Sequence, residues 1–120
     1  MKTVNINQTG HAVFTTAGDG LNGAGGAFDI DQTSTGTISL DQNGASANVS
    51  IEQTSSGTVT MDIDGSSGTY DIDQDNASTL TLTQDGASAN FVILQEGGSG
   101  DIITMTTNGA SADVDIIQTN

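Results

Sequence analysis

From residue 28 onward a five-residue unit recurs: apolar, polar, apolar, polar, then in seven of nine instances glutamine. The units occupy 28–32, 38–42, 49–53, 59–63, 70–74, 80–84, 91–95, 103–107 and 114–118. Their starts are ten and eleven residues apart in alternation, with a single twelve near the end, so two units make a repeat of about 21 residues. Alternation with period two is a strand signal, and the Gly, Asn, Asp and Ser clusters between units are turn signals. A strand of five residues can bury only two apolar side chains, too few to stand alone. Stacked coils solve this, because each repeat covers its neighbour's face. The pattern therefore predicts an all-β chain, a two-sheet parallel β-solenoid with two short strands per coil.

The units starting at 28, 49, 70, 91 and 114 should form one sheet, here sheet A, and those starting at 38, 59, 80 and 103 the opposite sheet B. Residues 28–120 read as the solenoid domain. Residues 1–27 read as an irregular segment with one clear strand unit at 4–8, a degenerate strand near 12–16 and a glycine-rich insertion at 17–26. Only Phe91, Tyr70, Phe28 and Phe14 are aromatic, and hydrophobic residues make up 33% of the chain. Composition this lean, with a net charge of −14, would leave a chain disordered if its pattern were not so regular. Proline is absent, which suits a backbone whose N–H groups are nearly all needed in ladders.

The glutamines sit at an inward phase. A buried amide is costly unless satisfied. In an in-register stack each amide can donate to the next, one strand spacing away. Gln32, Gln42, Gln53, Gln74, Gln84, Gln95 and Gln118 are the expected ladder, interrupted by Ile63 and Thr107.

The stretch Ser39-Leu40-Asp41-Gln42-Asn43-Gly44-Ala45-Ser46-Ala47-Asn48-Val49-Ser50-Ile51-Glu52-Gln53 resembles the repeat of curli, the bacterial extracellular functional amyloid. That family repeats a glutamine, a glycine two residues on, an asparagine in the turn and a second glutamine after eleven residues. Gln42, Gly44, Asn48 and Gln53 fit, as do Gln84, Gly86, Asn90 and Gln95, with the asparagine one place later than usual. The resemblance covers 28–118. It implies a fibre-forming subunit at the cell surface or outside the cell, with further copies of itself as the main partner. The chain departs from the pattern in its acidity and in Ile63 and Thr107. The start, Met1 to Gln8, has no apolar signal region, so the expectation is either a chain without a secretory signal or a mature form with a methionine added.

Charge excludes some partners. One lysine or arginine against fifteen acids cannot neutralise phosphates, so neither nucleic acid nor anionic membrane is expected. No cofactor is implied, and no nucleophile, acid–base pair or phosphate loop can be nominated. The lone His11 has no catalytic companions, and a non-enzymatic role is expected. Asp31, Glu52 and Asp73 should share one outward column, making them candidates for a ladder of divalent cations such as calcium, against a merely solvated acidic face. Sheet B should expose Thr37, Ser39, Thr58, Thr60, Thr79, Thr81, Thr104 and Thr106. These columns are similar to those of ice-binding solenoids, although threonine is simply a good strand residue.

Three functions follow: a curli-type fibre subunit, a virion component such as a phage head fibre or decoration protein, and a monomeric ice- or ligand-binding solenoid. A virion component would dock on a virion anchor, a fibre subunit on a cell-surface one. Monomeric solenoids cap their ends. Strand units beginning at Val4 and ending at Gln118 carry no capping pattern, so Val4, Ile6, Gln8, Val114, Ile116 and Gln118 are the expected assembly residues. With the two N-terminal strands, eleven segments divide unequally between two sheets. The expectation is that Val4–Gln8 leaves its own stack to fill a neighbour's sheet B as a donated strand.

Overall fold

The computed structural model describes residues 2–10, 12–15, 24–44, 46–64 and 67–119, with backbone only at 2–4, 12, 24 and 25. His11, Thr16, most of the glycine-rich stretch and parts of two turns lie outside the described residues. The expectations placed on His11 and on residues 17–23 therefore rest on sequence.

Among the described residues all regular structure is β. The strands are β1 (Lys2–Gln8), β2 (Ala12–Thr15), β3 (Ala24–Gln32), β4 (Gly36–Gln42), β5 (Ser46–Gln53) and β6 (Gly57–Ile63). β7 (Ser67–Asp75), β8 (Thr79–Gln84), β9 (Ser88–Glu96), β10 (Ile102–Thr107) and β11 (Ser111–Thr119) complete the chain. Odd-numbered strands form the six-stranded sheet A, in order β1-β3-β5-β7-β9-β11, and even-numbered strands the five-stranded sheet B. Every adjacent pair is parallel. The chain is a β-solenoid whose coil is the 21-residue repeat.

Register matches the sequence phase throughout the repeats. Phe28 pairs with Val49, Val49 with Tyr70, Tyr70 with Phe91 and Phe91 with Val114. The isoleucine column runs unbroken from Ile6 through Ile30, Ile51, Ile72 and Ile93 to Ile116. Sheet B faces it with Ile38, Val59, Leu80, Ile103 and with Leu40, Met61, Leu82, Met105. A one-residue slip would turn all of these to water, so burial holds the register. The core is driest in the middle coils, where Tyr70 and Phe91 are wholly buried and stack at 4.9 Å with an interplanar angle of 18°. β11 is exposed along its whole length because nothing stacks above it among the described residues.

The N-terminal segment is more regular than its sequence suggests. β1 lies in register on β3, with Gln8 opposite Gln32, and β2 lies on β4, with Phe14 opposite Ile38. Both extend the same solenoid downward by one coil. β3 begins at Ala24, so the end of the glycine-rich stretch is strand, with a register irregularity between Ala24 and Gly26. The strand 4–8, expected to be donated, is hydrogen-bonded within its own sheet A in the monomer.

Two close details shape the turns. The long connection after β9 places Gly97 and Gly100 at positive φ, 80° and 115°, where a side chain would be strained. Gly68 lies where a Cβ would come within 2.6 Å of both the Ala47 carbonyl and the Tyr70 hydroxyl, so that corner needs a residue without one.

Candidate functional site

The inner face contains a chain of amides. Gln32 Nε2 donates to Gln8 Oε1 at 3.2 Å, Gln53 to Gln32 at 2.6 Å and Gln74 to Gln53 at 2.9 Å. Gln95 donates to Gln74 at 2.9 Å and Gln118 to Gln95 at 3.2 Å. All five bonds run in one sense, each amide donating toward the N-terminal coil. The ladder is therefore polar: its donor end is Gln8 and its acceptor end Gln118.

Gln42 and Gln84 do not belong to it, which corrects the sequence expectation. In sheet B their neighbours along the column are Ile63 and Thr107, so among the described residues no amide lies one strand spacing away. Each turns back instead: Gln42 Nε2 donates to the Gly44 carbonyl at 2.8 Å and Gln84 Nε2 to the Gly86 carbonyl at 2.6 Å. The glutamine and the glycine two residues on thus form a clamp across the turn. Gln8, by contrast, is a ladder member that the repeat starting at residue 28 does not announce.

The two clamps differ in one respect. Gln42 Oε1 accepts from the Tyr70 hydroxyl at 2.7 Å, whereas Gln84 Oε1 is buried without a partner. The position that bears the same relation to Gln84 as Tyr70 does to Gln42 is Val114, which lies on Phe91. Ala112 takes the place of Gly68 in that coil, so with Ala112→Gly as background Val114→Tyr should stack on Phe91 and donate to Gln84 Oε1, raising stability by about 1 kcal/mol. Thermal melting of the monomer checks this: in the same Ala112→Gly background Val114→Phe should recover only the stacking share, and equal gains from the two would refute the hydrogen bond.

The outward face of sheet A carries the acids. Asp31, Glu52 and Asp73 occupy successive rows of one column, and Asn7 Nδ2 donates to Asp31 Oδ2 at 2.8 Å at its lower end. Side chains in such a column project side by side and do not converge on a point. Among the described residues no group of three or more His, Cys, Asp or Glu is placed to hold a metal ion. Val92, Leu94 and Ile117 interrupt the acids in the upper rows, where Leu94 and Ile117 continue the column of Asp73. A groove of about 370 Å³ on this face runs between Asn5, Asp29, Ser50, Asp71 on one side and Ala27, Asn48, Thr69 on the other. On sheet B the threonines form the expected columns, Thr37 on Thr58 on Thr79 and Ser39 on Thr60 on Thr81 on Thr104, with Thr15 below Ser39.

Crowding of acids alters their titration. Burial against the sheet, then the charges of Asp75, Glu96 and Asp71, push the Asp73 carboxyl above its ordinary value. Burial, then Asp64, Asp41 and Asp85, does the same to Asp62. A carboxyl with a raised folded-state pKa destabilises the fold once ionised. That penalty is absent below the ordinary value of 3.8 and complete above the raised one, so stability rises as pH falls through this window. Melting temperature should increase as pH is lowered from 7 toward 3.8, and Asp73→Asn should flatten the rise. A melting temperature that falls steadily over this range would contradict it.

The residues expected from the sequence to mediate assembly lie on the terminal strands β1 and β11 of sheet A. Val114 and Ile116, both at inward phase, are 37% and 43% exposed because their upper side is uncovered. Ile103 and Met105 are only partly buried beside them, and Phe14 and Phe28 are partly buried at the other end. Comparison with protein-family models, with curated proteins and with solved structures found no match to this chain.

Proposed function

We propose that this chain is a self-assembling structural subunit of curli type, which grows into fibres by end-to-end stacking through its terminal strand edges. The observation that carries the reading is the pair of core cross-sections: inward-phase apolar residues and a polar glutamine ladder run to both ends of the described stack, where Ile6, Gln8 and Phe14 are half-buried and Val114, Ile116 and Gln118 exposed. An edge strand with unpaired N–H and C=O groups is a template for another strand. Here β10 and β11 offer that template at one end, β1 and β2 at the other. All strands pair in parallel along the stack and its two ends are different strands, so copies meet head to tail. The curli-like motif gains a physical sense: its first glutamine clamps the turn and its second builds the ladder. Such a fibre would serve at a cell surface or outside the cell as matrix or adhesive material.

Purified protein at rising concentration should form unbranched fibres by negative-stain electron microscopy, with a meridional spacing of about 4.8 Å in diffraction. Monodisperse particles at every concentration would overturn the proposal.

A further inference from the structure

Resting on that reading, we infer that successive subunits meet with a half-turn about the fibre axis, so that sheet A of one continues into sheet B of the next. Among the described residues sheet A has six strands and sheet B five. Stacked without rotation, both sheets must advance equally per subunit. Each junction then leaves one row of sheet B empty. Donating β1 to a neighbour's sheet B does not help, because it only turns six and five into five and six.

A half-turn removes the vacancy. Sheets A and B run in opposite directions across the coil, so exchanging them by rotation keeps every pairing parallel. β1 of the incoming subunit then follows β10, and β2 follows β11, continuing the alternation of sheets that operates within the chain. β1 fills the gap in the neighbouring sheet B without leaving β3. The repeat phase puts Ile6 on Met105, Gln8 on Thr107 and Phe14 on Val114, joining apolar columns to apolar columns.

One interaction opposes this. An unrotated stack would set Gln8 of the next copy on Gln118 and extend the ladder, a gain of about 1 kcal/mol for a neutral hydrogen bond. Against it stands a whole missing row, which leaves β10 (Ile102–Thr107) unpaired and Ile103 and Met105 facing a void. Several backbone hydrogen bonds and two apolar contacts outweigh one amide. The rise per subunit should be about 26 Å, five and a half coils, and not the roughly 29 Å that six rows require.

The chain has no cysteine, so introduced pairs report the junction cleanly. Asn5 and Thr104 both point outward, and the half-turn puts them on neighbouring strands. The unrotated stack instead puts Asn5 beside Asp115. Neighbouring parallel strands lie within disulfide reach, at Cα separations of about 4.8 Å. Under mild oxidation of fibres, Asn5→Cys/Thr104→Cys should give a ladder of covalent multimers, and Asn5→Cys/Asp115→Cys should stay monomeric on denaturing gels. The reverse pattern overturns the half-turn but leaves end-to-end growth standing. Cross-linking by both pairs, or fibres with neither, overturns a defined strand-on-strand junction. Absence of fibres from the unaltered chain, with no cross-link in either variant, overturns the assembly reading itself.

Discussion

Gln74→Leu should cost about 2–5 kcal/mol, and adding Gln53→Leu should cost almost nothing more. The single change leaves Gln53 Oε1 without its donor and Gln95 Nε2 without its acceptor, both in a dry core. Each buried group that loses its partner costs about 1–3 kcal/mol. In the double variant the surviving amides that lose a ladder bond are Gln32 and Gln95, again two, as Gln53 and Gln95 are in the single variant. Two adjacent leucines also pack on one another. A double-mutant cycle by chemical denaturation should therefore show a coupling of the order of the single-site cost. The outward controls Ser50→Ala and Thr60→Ala should change stability by about 0.5 kcal/mol or less. Strict additivity of the two glutamine sites would mean that the amides do not act as a ladder.

The second large effect concerns the growing end. Ile116→Lys should abolish fibre growth while leaving the monomer folded. Ile116 is at inward phase yet 43% exposed, so a lysine there meets water in the monomer. At a junction it would be covered, and an unpaired ammonium resists burial at a cost of several kcal/mol. At 1.4 kcal/mol per tenfold, the critical concentration should rise at least about 100-fold. Thr106→Lys puts the same charge on the same terminal coil but on its outward side, and should polymerise nearly as well as the parent. Sedimentation of fibres and the monomer's melting curve together read the result. If both variants polymerise alike, the core cross-section is not the contact surface.

The 21-residue coil, its two strands and the inward columns were all legible in the chain, because parallel in-register stacking brings identical phases together and period two separates core from solvent. The acidic and threonine columns followed from the same rule. What sequence phase could not decide was the partner of each glutamine. All seven occupy the same place in their unit, but an amide bonds to whatever lies one strand spacing away. In sheet A that is another glutamine. In sheet B it is Ile63 or Thr107, so Gln42 and Gln84 bond to the glycine carbonyls of their own turns. The N-terminal coil was legible only in part. The strand unit at 4–8 and the degenerate strand near 12–16 were readable, but Ala24–Gly26 is too glycine-rich to announce a strand and becomes one because β5 presents an edge for it to pair with. Local pattern determined the coil, while the neighbour along the axis determined which side chain bonds to which, since that neighbour lies about twenty residues away in the chain and only 4.8 Å away, roughly, in space.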